Sequence, residues 1–456
     1  MVPVLRNLRI NFAGKTIRSS FCLLRNCRPL GTEIRSISEM ASQKDVIEPA
    51  KRLSSLGKNV WVEFGKLNAQ YKTVNVGQGF PDYKPPDYLI KTLATASESE
   101  NDLMHQYTRS QGHPRLVKSI ASLFSKLHGR DIQAMSEVLI TNGAYESLFS
   151  AISAFVNEGD EVIIIEPFFD CYVKMVNFIG GVPVGVPLRP SADNWRSSKG
   201  WKIDPKELEA AFSPKTKAII FNTPNNPLGK VFERDEMEMI AGIISKHNAI
   251  CISDEVYEWL VYPGNDHIRI ATLPGMWERT VTISSAGKTF SATGWKIGWS
   301  VGPERLISHM ASVHANSLYV LPTPTQEAVA IGLEREEKLL GTEESYFHEM
   351  TTSLLKKRDY EVKILRDAGF DPVVPDGGYF IMADTSKLGV TFPDGESDEP
   401  YDMQFCKWMI KDKGIAAIPP SAFYYQHGKL AEKFIRLCFI KKDSTLKELE
   451  DALKKW

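Results

Sequence analysis

The chain lacks most of the features that would place 456 residues in a specialised class. Its six cysteines, Cys22, Cys27, Cys171, Cys251, Cys406 and Cys438, contain no C-x-x-C pair. That spacing fits neither a disulfide framework nor a metal site of the zinc type, and it suits a reducing compartment. Excess charge is missing as well: 55 basic against 56 acidic residues leave a formal net charge of -1, so no global field draws nucleic acid or an anionic membrane to the protein. No apolar run approaches the roughly 18 to 20 residues of a bilayer span. Runs such as Val162–Ile165 have the length of buried strands. Internal repeats and low-complexity tracts are absent. What is present, 43% hydrophobic and 24% charged residues, describes a globular chain with core enough for two domains.

Acidic residues are also missing from the N-terminus. Arg6, Arg9, Lys15, Arg18, Arg25 and Arg28 all precede the first carboxylate, Glu33, with Ser19 and Ser20 among them. This Arg-rich, acid-poor composition reads residues 1–39 as a mitochondrial transit segment, with a disordered basic tail as the alternative. Met40 stands where the bias ends, so a start there would leave a cytosolic form.

From Val138 the pattern alternates. Val138–Thr141, Glu161–Glu166, Lys217–Asn222, Ala249–Ser253, Thr280–Ser284 and Gly298–Val301 read as strands, with helices over Tyr145–Val156 and Glu233–Asn248. Strands alternating with helices predict an α/β fold with a mainly parallel central sheet, covered on both faces. An opening strand is expected within Val74–Tyr83, punctuated by Gly and Pro. After Pro324 long helices such as Ser345–Ala368 mix with short strands at Gly378–Ala383 and Phe434–Phe439. The division expected is a large domain over 83–323, and a smaller α+β domain made of 40–82 with 324–456. Asp394–Glu399 reads as a solvated acidic loop.

Two nucleotide motifs fail on spacing. Gly77-Gln78-Gly79 starts like G-x-G-x-x-G, but Asp82 holds the sixth position and Pro81 the helix start. Gly287-Lys288-Thr289 ends like a P-loop, yet the first Gly would fall on Thr282, inside an apolar strand. The same segment, S-S-A-G-K-T-F-S-A-T-G-W-K-I-G-W from Ser284 to Trp299, reads better as a lysine at a strand end among small residues, where a flat ring can approach the backbone. Asp254, directly after the strand Ala249–Ile252, would emerge at the sheet's C-terminal edge, where open α/β sheets bind ligands. A carboxylate there can keep a pyridine nitrogen protonated; the position also suits a helix N-cap. Asn222–Gly229, N-T-P-N-N-P-L-G, has turn chemistry. Thr141–Glu146, T-N-G-A-Y-E, is a strand running through a Gly turn into a helix, which aims backbone N–H groups at a phosphate.

Taken in order, these four pieces resemble the fold-type I pyridoxal-phosphate aminotransferases from about Trp61 to Arg436. The strings W-V-E-F, G-Q-G-F-P-D, Q-Y-T-R-S-Q-G-H-P-R-L, E-P-F-F-D-C-Y and K-T-F-S-A-T-G-W-K-I-G-W are similar to the kynurenine aminotransferase and glutamine transaminase K branch. The resemblance implies pyridoxal 5'-phosphate held by Lys288 as a Schiff base, with Asp254 on the pyridine nitrogen and Tyr257 on the ring's 3-oxygen. Phe169 and Val256 would sandwich the ring. The Ala144 and Tyr145 amides, Ser285 and Lys296 would bind the phosphate, and Tyr107 would reach it from the partner in a homodimer. Arg436 would clamp the substrate carboxylate with help from Asn226, Gly79 would approach through its backbone, and Trp61, Tyr145 and Tyr319 would shape the side-chain pocket. A strand-edge salt bridge is the alternative use of Arg436.

The branch departs from the wider family in having Lys rather than Arg at 296. This chain further shows Tyr319-Val320 where one isoform of the branch has Phe-His. The activity implied is transfer of the amino group of kynurenine, glutamine, methionine, aromatic amino acids or cysteine conjugates to 2-oxoglutarate or glyoxylate. β-Elimination of cysteine S-conjugates would be a side reaction. A dedicated β-lyase and an inactive binding protein are the competing readings, since a fold alone does not prove activity.

Overall fold

The computed structural model describes residues 48–56, 59–393 and 397–456. The transit-like segment and the first half of the Asp394–Glu399 stretch, residues 394–396, lie outside these residues. By its contacts Ala50–Trp456 is one compact unit, and it carries both sheets described below.

Eight strands form the main sheet, in the order Val138–Asn142, Ile297–Val301, Thr280–Ser285, Ile250–Asp254, Thr216–Asn222, Glu161–Glu166, Val182–Pro190 and Trp201–Ile203. The five strands from Thr280–Ser285 to Val182–Pro190 run parallel, and the three outer strands pair with their neighbours antiparallel. Alternation along each strand sends side chains to opposite faces. Ile163, Ile219, Phe221 and Cys251 pack in one core cluster, while Val162, Ile164, Ile220 and Ile252 pack in another. Both faces are therefore covered, and this is why these strands read as continuous apolar runs. The expected strands are present with ends shifted by a residue or so. Val182–Pro190 escaped the sequence reading because Pro183, Pro187 and Pro190 look like breakers, and Trp201–Ile203 because three residues are too short for an alternation to show.

The second sheet is antiparallel, Asp371–Val373, Phe380–Asp384 and Phe434–Cys438, with Met382 opposite Arg436. It packs in a cluster with residues of the helices Tyr346–Asp367, Tyr401–Lys413 and Asp443–Leu453. The opening strand is shorter than expected. Only Val74–Asn75 pairs, in parallel with Ile415–Ala416, because beyond it the carbonyls of Gln78 and Phe80 are taken by the Lys441 ammonium at 3.0 and 2.9 Å. Among the described residues no helix is long and apolar enough to cross a membrane. Cys171, Cys251, Cys406 and Cys438 are free and buried.

Candidate active site

A cavity of about 440 Å³ opens at the C-terminal ends of the central parallel strands and reaches across to the smaller sheet. Asp254 is the last residue of its strand and 4% exposed. Its carboxylate accepts from the Tyr172 hydroxyl at 2.6 Å and from the Val256 N–H at 3.3 Å. Burial pushes its pKa up to about 6, against the pull of those two donors and of Lys288. No helix follows Asp254, only a turn, so it is not an N-cap. Lys288 lies one turn beyond the strand Thr280–Ser285, in the short helix Ala286–Thr289. It lines the cavity, and its amine is desolvated, which lowers its pKa to about 8. The amine donates to the Tyr379 hydroxyl, and to the Gly79 carbonyl at 3.4 Å. Tyr379 in turn donates to that carbonyl at 2.9 Å.

The anion-binding end is built by close approach. The helix Gly143–Phe155 starts on Gly143 at φ +71°, a left-handed conformation that glycine adopts without strain. Gly298, on the neighbouring strand, has no room for a side chain: a Cβ would stand 2.4 Å from the Gly143 carbonyl carbon and 2.6 Å from the Ala144 nitrogen. The turn is thus pressed against the sheet with the first helical N–H groups unpaired within the helix. The Lys296 ammonium lies beside it, 3.2 Å from where a Gly143 Cβ would be. Ala144, Tyr145 and Ser285 line the same end. The donor set fits pyridoxal phosphate. An amine stands available for its carbonyl carbon, a buried carboxylate for its pyridine nitrogen, and amides, a hydroxyl and an ammonium for its phosphate. Phe169 and Val256 line the space between, and Tyr257 is buried edge-on to Tyr379 with ring centroids 5.1 Å apart.

Arg436, in mid-strand and 1% exposed, closes the other end. It donates to the Asn226 side-chain oxygen at 3.1 Å and to the Gly77 carbonyl at 2.6 Å, and Nε has no protein partner among the described residues. Burial lowers its pKa to about 10. The partners of its two terminal nitrogens are a carbonyl and an amide oxygen, not the carboxylate that a salt bridge requires. The rings of Phe380, Phe423 and Trp61 surround it, at 4.2, 4.9 and 5.2 Å from the guanidinium carbon. Trp61 sits in the first turn of the helix Val60–Tyr71, which the Asn59 side chain caps by accepting from the Trp61 and Val62 N–H groups.

Thirteen of the fifteen expected site residues line this cavity; Tyr107 and Tyr319 do not. Those two are 80% and 57% exposed and stack edge to face, ring centroids 5.6 Å apart, on the outer surface of the chain. Sequence reasoning missed Asp170, Tyr172, Lys174, Tyr379 and Phe380. Tyr172 and Asp170 lie within the quoted string E-P-F-F-D-C-Y. The signal for Tyr379 was Gly377-Gly378, a pair that stops one segment and aims the next residue inward.

The family model of class I and II aminotransferases matches residues 71–453. Mouse kynurenine--oxoglutarate transaminase 3 is 53% identical over 411 residues, covering 89% of this chain and 90% of that protein. Human kynurenine--oxoglutarate transaminase 1 is 48% identical over 413 residues, covering 89% and 98%. The crystal structure of Bna3p from Saccharomyces cerevisiae superposes with a TM-score of 0.84 at 35% identity, covering 90% of this chain and 98% of Bna3p.

Proposed function

This chain belongs to the class I and II aminotransferases, and on that premise we propose that it moves the amino group of kynurenine to a 2-oxo acid, giving kynurenic acid. Glutamine, methionine, aromatic amino acids and cysteine conjugates are proposed as further donors, and 2-oxoglutarate or glyoxylate as acceptors. Pyridoxal phosphate is the cofactor; when bound, it supplies an electrophilic carbon for the amine and a ring that takes up the electrons left at Cα. The observation that carries the reading is the convergence of Lys288, the buried Asp254 carboxylate and the buried Arg436 guanidinium on one cavity.

Each residue's work follows from its surroundings. Arg436 offers planar N–H groups to the α-carboxylate of amino acid and oxo acid in turn, with Asn226 beside it. Asp254, ionised above pH about 6, favours a proton on the pyridine nitrogen. Lys288, with its pKa lowered to about 8, has a substantial neutral fraction near physiological pH, and can take the proton from Cα and deliver it to the carbon that the cofactor would supply, on the far side of the amino nitrogen. Tyr379 and the Gly79 carbonyl hold that amine between the two transfers. Trp61, Phe169 and Phe380 keep water from the substrate face.

A β-leaving group on the substrate would depart after the same proton removal, which is the basis for proposing cysteine-S-conjugate elimination as a side reaction. A homodimer is proposed because Tyr107 and Tyr319, which the resemblance assigns to the site, lie exposed outside the cavity of their own chain. Residues 1–39 are proposed to direct the protein to mitochondria, with Met40 opening a cytosolic form. The test is incubation of purified protein with pyridoxal phosphate, kynurenine and each acceptor. Kynurenic acid is the expected product. No kynurenic acid, with only pyruvate, ammonia and a thiol formed from cysteine conjugates, would replace this reading with a dedicated lyase. No turnover of any substrate would replace it with a binding protein.

A further inference from the structure

Six charged side chains among the described residues line the cavity: Asp170, Lys174, Asp254, Lys288, Lys296 and Arg436. Four of them are accounted for above. Asp170 and Lys174 are left, and they form one unit. Asp170 is 7% exposed; one of its oxygens accepts from the Trp61 indole N–H at 2.8 Å, the other from the Lys174 ammonium at 2.5 Å. Lys174 stands one turn further along, on the helix Cys171–Phe178, with its side chain 28% exposed. The Trp61 ring therefore stands between the two groups: Arg436 faces the ring, and the indole N–H holds the Asp170–Lys174 pair.

We infer that Asp170 and Lys174 set side-chain specificity by presenting one neutral pair at the end of the pocket away from the α-carboxylate. The inference rests on the aminotransferase reading above and adds the substrate class. An ammonium carries three N–H donors, and Asp170 takes one of them. Those that remain receive the distal carboxylate of a dicarboxylic 2-oxo acid. With no second carboxylate present, the pair is net neutral and offers both a donor and an acceptor, which suits uncharged polar side chains such as an amide or an aryl amine. Asp170 tempers the attraction of Lys174 for anions, so a single pocket serves a neutral donor and a dicarboxylic acceptor in successive half-reactions. A cationic side chain would have to displace Lys174 from Asp170 and is disfavoured.

The two members of the pair have opposite effects when altered. Lys174→Met should lower the ratio of kcat/KM for 2-oxoglutarate to that for glyoxylate about tenfold, the worth of one lost charge-assisted hydrogen bond, mainly through KM. Asp170→Asn keeps an acceptor for the Trp61 N–H and frees the ammonium, so it should raise the same ratio. Lys174→Arg should restore most of it. Glutarate, which has both carboxylates and no oxo group, provides a readout free of turnover: by calorimetry its Kd should rise about tenfold in Lys174→Met. A ratio and a glutarate Kd both unchanged in Lys174→Met, or a ratio lowered by Asp170→Asn, would overturn the assignment. Any accepted amino donor serves for these ratios, so a protein that fails to use kynurenine refutes the proposed function without touching this inference.

Discussion

The two sheets serve the same cavity by different means. The eight-stranded sheet contributes residues at its strand ends and in the turns beyond them: Ala144 and Tyr145 after Val138–Asn142, Phe169 after Glu161–Glu166, Asn226 after Thr216–Asn222, then Asp254, and finally Ser285 and Lys288. The three-stranded sheet contributes Arg436 from the middle of a strand, with Tyr379 and Phe380 where its neighbour begins. Strand-end turns can present backbone N–H groups and a mobile amine, which suits a cofactor that must be approached closely and bound covalently. A mid-strand side chain is fixed by register on both sides, Arg436 being opposite Met382 and bridged to Ile418. Such rigidity suits a clamp that has to hold two different acids in the same place.

The largest effect should come from the first group. Lys288→Ala is expected to cut turnover about ten-thousandfold, the upper end of what general acid–base catalysis contributes, and to abolish the visible absorption of lysine-bound cofactor while the circular dichroism stays native. Wild-type turnover in that variant would show that the strand-end lysine is not the base. Arg436→Ala should be milder but broader, with a drop of about ten- to a hundredfold in kcat/KM for donor and acceptor alike. If only one of the two acids weakened, the three-stranded sheet would not be the common clamp and the comparison would fail.

Tyr379→Phe tests the point where the sheets meet. Its hydroxyl, from the start of the smaller sheet, accepts from the Lys288 amine of the larger one, and a hydrogen bond received from an amine favours the protonated form. Removing the hydroxyl should therefore push the Lys288 pKa further below about 8. The check is the pH dependence of Lys288 acetylation in cofactor-free protein, read by mass spectrometry. The rate should fall about two- to tenfold in kcat with KM little changed, the net worth of one hydrogen bond.

The same contrast explains what was legible in the sequence. Asp254, Lys288 and the Thr141–Glu146 turn could be read from local chemistry, because a strand end followed by small residues announces a ligand edge. Arg436 carries no such signal: inside F-I-R-L-C it looks like any strand residue, and only the resemblance singled it out. Tyr379, Asp170 and Lys174 depend on contacts across 91 and 109 residues, and on a salt bridge that matters only because Trp61 reaches it. Helix periodicity and turn chemistry do not encode such long-range meetings. The prolines that hid the Val182–Pro190 strand are tolerated because its pairing leaves their missing N–H groups unused.

The smallest effect expected lies beneath the smaller sheet, at Glu361. This residue of the helix Tyr346–Asp367 is fully buried, and neither carboxylate oxygen has a hydrogen-bond partner among the described residues. Burial pushes its pKa from 4.5 up to about 8, with Lys441 pulling the other way. The folded state therefore holds the Glu361 proton more tightly than the unfolded chain does. The stability linked to that proton is complete below pH about 4.5 and is lost as pH rises through about 8. Glu361→Gln has a side chain of the same shape that never ionises, so it escapes the loss. Its melting temperature should match or fall slightly below wild type at pH 5 and exceed it by about 2 °C at pH 9. Lys441 holds the carbonyls of Gln78 and Phe80, two residues that line the cavity, so ionised Glu361 would compete for the ammonium that fixes them. A difference in melting temperature that stays constant between the two pH values would mean that Glu361 keeps its charge in the folded protein. The smaller sheet would then rest on a buried ion pair with Lys441 rather than on a neutral core.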